Sequence, residues 1–412
     1  MTDGRADLAA DAAARGFVRI MLVAGEPSGD WLGAHLMAAL KLRLTGKVEF
    51  VGVGGELMAG QGMISLFPLS DLAVMGLVEV LPRAPRLLAR LRQTAAMARR
   101  WKPDVLVTID SPGFNFRLAR RLRGLSSPIV HYVAPQVWAW RPKRARHMAP
   151  LFDRLLALLP FEPPWFEGAG LPTSFVGHPA VETAAGEGEG AAFRASHDIA
   201  ADAPLLALLP GSRTGEVRRH LTPIGETLEL LRRRLPNLQA VVPTVGAVAV
   251  AVEAAARGWK VPTRVVQGVA AKRGAFAAAD AALAASGTVT LELALAAVPT
   301  VILYRMNPVT GWLARRLVKL PHVGLPNILL GRTLAPEFLQ DRCRPELLAE
   351  AIALHLVDRT ARSEQNDAAA ELAVALGAGG EAPSLRAADA VLKAMARGRR
   401  RGLPPALGKA AS

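Results

Sequence analysis

The sequence predicts an α/β protein built from two Rossmann-like parallel-sheet domains that face a cleft, and three observations carry that prediction. The chain has 412 residues, too many for one ordinary core, so two domains of roughly 200 residues each are expected. Apolar runs of buried-strand type alternate with helical patterns in both halves: 17–24, 48–53, 104–110 and 128–133, then 204–209, 238–242, 263–266, 281–285 and 300–304. Between the halves, Gly177-His178-Pro179 leads into a Gly/Ala/Glu-rich run over 184–192, a composition shift that marks a boundary. The expected layout is an extension over 1–16, a first domain over 17–183, a linker over 184–190 and a second domain over 191–345. Helices over 346–396 are expected to return to the first domain, and a basic, disordered tail covers 397–412.

Composition narrows the classes of function. A net charge of +15 points to an anionic partner: nucleic acid, a membrane surface or a phosphorylated substrate. Nucleic acid falls behind, because no segment interleaves aromatics with basic residues. The single cysteine, Cys343, excludes an intramolecular disulfide and fits a reducing compartment. The polar opening MTDGRADLAADAAARG lacks the basic start and apolar centre of a signal peptide. Glu292, Pro299 and a Ser-Gly-Thr turn interrupt the most apolar stretch, 281–304, so no membrane span is predicted. A cytoplasmic location follows.

In the first domain, the strand 17–24 exits through Gly25-Glu-Pro-Ser-Gly-Asp30 into a helix from Trp31 to about Leu44. This loop lies at the carboxyl end of its strand, where ligands of open parallel sheets bind. Glu26, Ser28, Gly29 and Asp30 there suit sugar hydroxyls; Asp30 as a plain N-cap is the alternative. Gly54-Gly55 closes the second strand, a helix over 56–61 follows, and a short strand lies near 64–67. A helix from Arg83 to Trp101 carries Leu87, Leu88 and Leu91 among six arginines. It fits an anionic membrane surface, with Val78, Val80, Leu81, Leu87 and Leu88 as an apolar patch, or a solvated surface helix. The strand 104–110 ends on Asp110, a candidate general base or a cap for the helix starting near Gly113. The loop Ala134–Arg144 is rich in Trp and positive charge.

The second domain repeats the plan. Its first strand ends in Pro210-Gly211-Ser212-Arg213, and an arginine in a Gly-Ser turn at a helix start is placed to clamp a diphosphate. The strand 281–285 turns at Ser286-Gly287-Thr288 into a helix through Leu291, Leu293 and Leu295, a second seat for phosphate. Glu292, one turn beyond Thr288, is placed to hold a ribose; the alternative is an ordinary α/β unit with Ser286 as N-cap. Leu325–Leu330 reads as an apolar loop whose one polar side chain is Asn327, and the chain from Pro336 onward reads as helical, with a break over 377–382.

Ten segments in order give this chain a resemblance to the lipid A disaccharide synthase family of inverting GT-B glycosyltransferases: AGEPSGD (24–30), FVGVGG (50–55), LAVMGLVEVL (72–81), IDSPGFN (109–115), HYVAPQVWAWRPKR (131–144), LLPFEP (158–163), FVGHP (175–179), LLPGSR (208–213), ASGTVTLE (285–292) and LPN (325–327). The resemblance implies transfer of 2,3-diacylglucosamine from its UDP derivative to 2,3-diacylglucosamine 1-phosphate. The product is a β-1,6 disaccharide of the lipopolysaccharide pathway of Gram-negative bacteria, and neither metal nor cofactor is needed. Residue by residue it implies Asp110 as the catalytic acid residue, Arg213 as the phosphate-binding arginine and Asn327 as the amide of the LPN motif. Joined to the readings above, catalysis falls to Asp110 and Arg213, UDP binding to Gly211, Ser212, Arg213, Ser286, Gly287, Thr288, Glu292 and Asn327, and the acceptor loop to Glu26, Ser28, Gly29 and Asp30. Gly113 stands where the family often has Asp, which leaves Asp110 as the loop's single acid. With lipid substrates, the protein is expected at the inner face of the cytoplasmic membrane, peripherally bound; a homodimer is left open. Two other readings compete. A UDP-sugar 2-epimerase shares the architecture but handles soluble sugars, and a nucleotide sensor has no use for an acid at position 110.

Overall fold

The computed structural model describes residues 17–44, 47–72, 77–137, 144–182, 188–307, 321–357 and 359–402. The chain divides into two compact units, residues 1–179 with 376–412, and residues 180–375.

The first unit holds a seven-stranded sheet: β1 (Phe17–Ala24), β2 (Lys47–Val53), β3 (Ile64–Ser65), β4 (Val105–Ile109), β5 (Ile129–Tyr132), β6 (Arg154–Ala157) and β7 (Thr173–Phe175). Its order is β3-β2-β1-β4-β5-β6-β7, and every pairing is parallel. A parallel sheet needs both faces covered, which is why β1 reads as an apolar run. Met21 and Val23 pack with Leu91, Ala95, Phe116 and Leu118, from helices α3 (Leu77–Trp101) and α4 (Pro112–Arg121). Ile20 and Leu22, also fully buried, alternate to the other face. The helix α1 (Pro27–Arg43) covers that side. Between α1 and α3 lies α2 (Glu56–Gly60), and the unit also contains α5 (Arg144–Met148) and α6 (Pro163–Glu167).

The second unit repeats the arrangement with β8 (Leu205–Leu209), β9 (Gln239–Thr244), β10 (Thr263–Gln267), β11 (Ala281–Ala285), β12 (Thr300–Tyr304) and β13 (Glu337–Leu339). The order is β10-β9-β8-β11-β12-β13, again parallel throughout. Its helices are α7 (Glu189–Ser196), α8 (Thr214–Arg234), α9 (Gly246–Ala256), α10 (Val269–Ala278), α11 (Thr288–Leu295), α12 (Leu325–Leu330), α13 (Pro345–Val357) and α14 (Arg359–Ala375). The final helix, α15 (Pro383–Gly402), returns to the first unit and packs on α1, β4 and β6. Arg43 of α1 anchors it through ion pairs to Glu381 and Asp389.

Four local expectations are corrected. Residues 325–330 form a helix, opened by Pro326 in its first turn and closed by Gly331 with φ 65°, an ordinary left-handed C-terminal stop. The stretch after Pro336 contains β13, a three-residue edge strand too short to show a period. Residues 397–402 continue α15 as helix, where a disordered tail was expected; four of these six residues are arginine, a good helix former. The helix expected from Arg83 begins at Leu77 and runs through Pro82 and Pro85. The loop residues Trp138 and Trp140, residues 184–187 of the expected linker and the extension over 1–16 lie outside the described residues, while Glu189 and Gly190 of that linker already belong to α7.

Candidate functional site

In each sheet the strand order reverses once, between β1 and β4 and between β8 and β11, and the crevice outside the carboxyl ends at such a switch point is where open α/β sheets bind ligands. Asp110, the Glu26–Asp30 stretch, Gly211–Arg213 and Ser286–Thr288 follow these strands directly, whereas Glu292 lies within α11 and Asn327 on α12.

In the first unit, Asp110 follows β4 directly. Its φ is 46° and that of Ser111 is 45°, two consecutive non-glycine residues in the left-handed region, a strained arrangement that persists only when its surroundings enforce it. Asn115, fully buried on α4, enforces it. Its amide Nδ2 donates to the carbonyl oxygens of Asp110 (2.8 Å), Ile109 (3.1 Å) and Val23 (3.4 Å). The Asp110 N–H donates to the Tyr132 carbonyl at 2.9 Å. Asp110 is half-buried at the carboxyl end of β4, and its backbone is held by these bonds. The β1 loop approaches so closely that a β-carbon on Gly25 would overlap Ser111 Oγ.

Asp30 is corrected. It is 5% exposed, and its carboxylate accepts backbone N–H groups from Gly55 (2.7 Å), Leu57 (3.1 Å) and Met58 (3.1 Å). It caps α2 rather than its own helix, and so joins the loops after the neighbouring strands β1 and β2. A carboxylate at a helix start satisfies orphan donors and the dipole together. Gly29 is buried against Ala24 and Ile109; Glu26 stands at the N-cap of α1, and Ser28 is exposed.

In the second unit, the loops after β8 and β11 leave adjacent strands in register, with Leu209 opposite Ala284, so the starts of α8 and α11 lie side by side. Arg213 is the N-cap of α8, Gly287 that of α11, and neither helix start has a side-chain cap; Ser286 is therefore not the cap. Arg213 and Ser212 are exposed. Two side chains of α8 hold the turn from beneath. Glu216, buried, accepts the Ser212 N–H at 3.3 Å, and lies so close that a β-carbon on Gly211, φ 115°, would overlap Oε2. Glu216 also bonds the Tyr304 hydroxyl, whose pKa is raised by burial and by this carboxylate. One helical turn on, His220 Nδ1 donates to the Pro210 carbonyl at 2.8 Å, and Nε2 accepts the Arg305 N–H at 2.9 Å. Ser286 Oγ donates to the Val323 carbonyl at 3.1 Å. Glu292 pairs with Lys272 at 2.5 Å.

Asn327 is fully buried. Its Nδ2 donates to the Ala335 carbonyl and to Glu337, each at 2.8 Å, and its Oδ1 accepts the N–H groups of Leu334 and Ala335. Both amide atoms are thus engaged within the protein, and Asn327 holds its own loop. Glu337 completes the arrangement by accepting the N–H groups of Val323 and Gly324, so Asn327 and Glu337 together hold the loop on which Ser286 rests.

The apolar patch is corrected in part. Leu87 packs against the core of the first unit, whereas Leu88 is 45% exposed. Arg86 and Arg90 both pair with Asp71, at 2.7 and 2.8 Å. The side chains of Val78, Val80 and Leu81 lie outside the description. Among the described residues no helix is long and apolar enough to cross a membrane, and no cluster of His, Cys, Asp and Glu has the form of a metal site.

Sequence reasoning missed Asn115, Glu216, His220 and Lys272. For Glu216 and His220 a signal existed: two polar residues four apart on α8, on one face, directly after the Gly-Ser-Arg turn.

Solved structures with this architecture define the class first. A UDP-GlcNAc 2-epimerase from Neisseria meningitidis, solved bound to UDP-GlcNAc, superposes with a TM-score of 0.63 at 11% identity, over 92% of this chain and 100% of its own. MurG from Acinetobacter baumannii superposes with a TM-score of 0.54 at 14% identity, over 91% and 99%. The fold is that of the GT-B class, which glycosyltransferases and UDP-sugar epimerases share. Sequence then separates the two: the chain belongs to the lipid-A-disaccharide synthetase family, whose model matches residues 20–384, and is a glycosyltransferase of lipid A biosynthesis. The lipid-A-disaccharide synthase of Rhodospirillum centenum is 56% identical over 90% of this chain and 94% of its own length. That of Paramagnetospirillum magneticum is 52% identical over 92% and 98%.

Proposed function

We propose that the chain condenses UDP-2,3-diacylglucosamine with 2,3-diacylglucosamine 1-phosphate, with Asp110 as the base. The observation that carries this reading is the clamped Asp110–Ser111 turn at the switch point of the first sheet, where strain is maintained around a single acid. The Asp110 carboxylate takes the proton of the acceptor 6-hydroxyl, and the oxygen attacks the anomeric carbon of the donor. The bond from that carbon to the diphosphate breaks, and its electron pair leaves with UDP, so one displacement inverts the anomeric centre. Arg213 and the uncapped N–H groups of α8 and α11 offset the charge that grows on the leaving diphosphate. Glu292 accepts hydrogen bonds from the ribose, and Asn327 acts indirectly by holding the 323–335 segment.

The site works at the surface of an anionic bilayer, because both substrates carry acyl chains and the protein carries a net charge of +15. Co-sedimentation with anionic vesicles that fails equally at low and high salt would remove this part of the reading.

The experiment for the reaction is incubation of the purified protein with both lipid precursors and measurement of UDP release. Asp110→Asn is expected to lower kcat by about 10²-fold or more and to leave UDP affinity near wild type. Wild-type turnover by this variant would refute Asp110 as the base.

A further inference from the structure

His220 is fully buried in α8, and both ring nitrogens are committed. A carbonyl only accepts and a backbone N–H only donates, so the contacts to Pro210 and Arg305 require the proton on Nδ1 and a bare Nε2. The two partners belong to the ends of β8 and β12, the strands on either side of β11. His220 therefore spans the loop that carries Ser286 and Thr288. Arg219, its neighbour, donates from Nε to the Arg305 carbonyl at 3.0 Å, so one dipeptide of α8 grips both sides of residue 305.

We infer that His220 is a positioning residue for the donor's diphosphate: its neutral ring ties the Pro210–Arg213 turn to the end of β12, and acid releases that tie. The inference rests on the reading of the turn as the phosphate seat. The groups that face the ring are Glu216 and Arg219 on its own helix, the Pro210 carbonyl on the turn, and Tyr304 and Arg305 at the end of β12. Two are cations and one is an anion. A second proton would point Nε2–H at the Arg305 N–H, donor against donor, and would set an imidazolium between Arg219 and Arg305. Burial already holds the pKa of His220 below its ordinary value of 6.5, so the ring is neutral at neutral pH and gains its proton only in acid. An ordinary buried histidine would alter stability alone. A histidine that positions the turn also alters how tightly the donor is held.

The test is donor KM against pH with the wild-type enzyme, since the diphosphate diester of the donor has no group that titrates in the range used. KM is expected to be flat from about pH 8 to pH 6.5 and to rise as pH falls below that, with a smaller change in kcat. His220→Gln, whose amide oxygen reaches the Nε2 position, should keep donor KM within about threefold of wild type at high pH and lose the acid rise. His220→Leu should raise KM about tenfold at every pH, and UDP affinity by calorimetry should fall in step. A flat wild-type profile, or a folded His220→Leu protein that binds UDP as wild type does, overturns the inference. Arg213→Ala separates the two ideas. If it loses UDP while His220→Leu retains it, only the role of His220 falls; if both retain it, the phosphate turn falls as well.

Discussion

Asn115 Nδ2 lies 2.8 Å from the main-chain oxygen of Asp110 and 3.1 Å from that of Ile109, so one buried amide fixes the last peptide of β4 and the first of the strained turn. Removing it takes a donor from three carbonyls, those of Val23, Ile109 and Asp110, and lets Asp110 relax out of the left-handed region. Asn115→Ala should therefore lower kcat by about 10²-fold, the order expected when a reacting group shifts by about 1 Å, with UDP affinity unchanged. Asn115→Leu keeps about the same volume but cannot donate, and should behave the same way. Steady-state kinetics beside calorimetric UDP binding checks both; a kcat near wild type in either variant would show that the turn holds itself.

Asp30→Ala should cost stability rather than catalysis. Three backbone N–H groups of the α2 start lose a charged acceptor, a loss of about 3 kcal/mol. The first unfolding transition in urea should move to lower concentration, while acceptor KM in the folded protein stays close to wild type. A raised acceptor KM with unchanged stability would restore Asp30 to the sugar.

Glu292→Gln should weaken UDP binding by about tenfold, the scale of one charge-assisted bond reduced to a neutral one, and leave inorganic pyrophosphate binding unchanged. Equal losses for the two ligands would mean that Glu292 supports the loop through Lys272 and does not meet the ribose.

Much of the fold was legible because strand burial and turn chemistry are local. The run ending at Asp110 and the turns at Gly211–Arg213 and Ser286–Thr288 announce strand exits without knowledge of the partners. The structural role of Asp30 was not legible because the N–H groups that donate to its carboxylate lie 25 to 28 residues away on another loop. Asn327 looked free in an apolar loop because the groups that seal it belong to residues 334–337. Leu87 and Leu88 show the same limit at one-residue scale: helical phase alone did not say that Leu87 packs inward and Leu88 outward, since the arginines around them fit either face.

The histidines of the first unit predict its behaviour in acid. His131 on β5 stacks on Phe152 with centroids 4.7 Å apart and meets the Phe116 ring edge-on; Nδ1 lies 2.8 Å from Thr108 Oγ1. Burial, and secondarily Arg144, lowers its pKa from 6.5 to about 3. His178, in the Gly-His-Pro turn before the boundary, is lowered by burial to about 4. In the unfolded chain both take a proton near pH 6.5, whereas the folded unit refuses it, so folding keeps its full advantage above pH 6.5 and loses it as pH falls from there toward pH 4 and 3. Each histidine contributes a slope of about 1.4 kcal/mol per pH unit in that window, and the two act in the same unit. Urea midpoints of its transition should be level from about pH 8 to pH 7 and fall steeply between about pH 6 and pH 4. Histidine ring proton resonances provide the direct check: those of His131 and His178 should stay at their neutral positions down to about pH 5. A midpoint near 6.5 for either ring would mean that its site admits the charge, and the acid loss of stability would then have to come from the carboxylates.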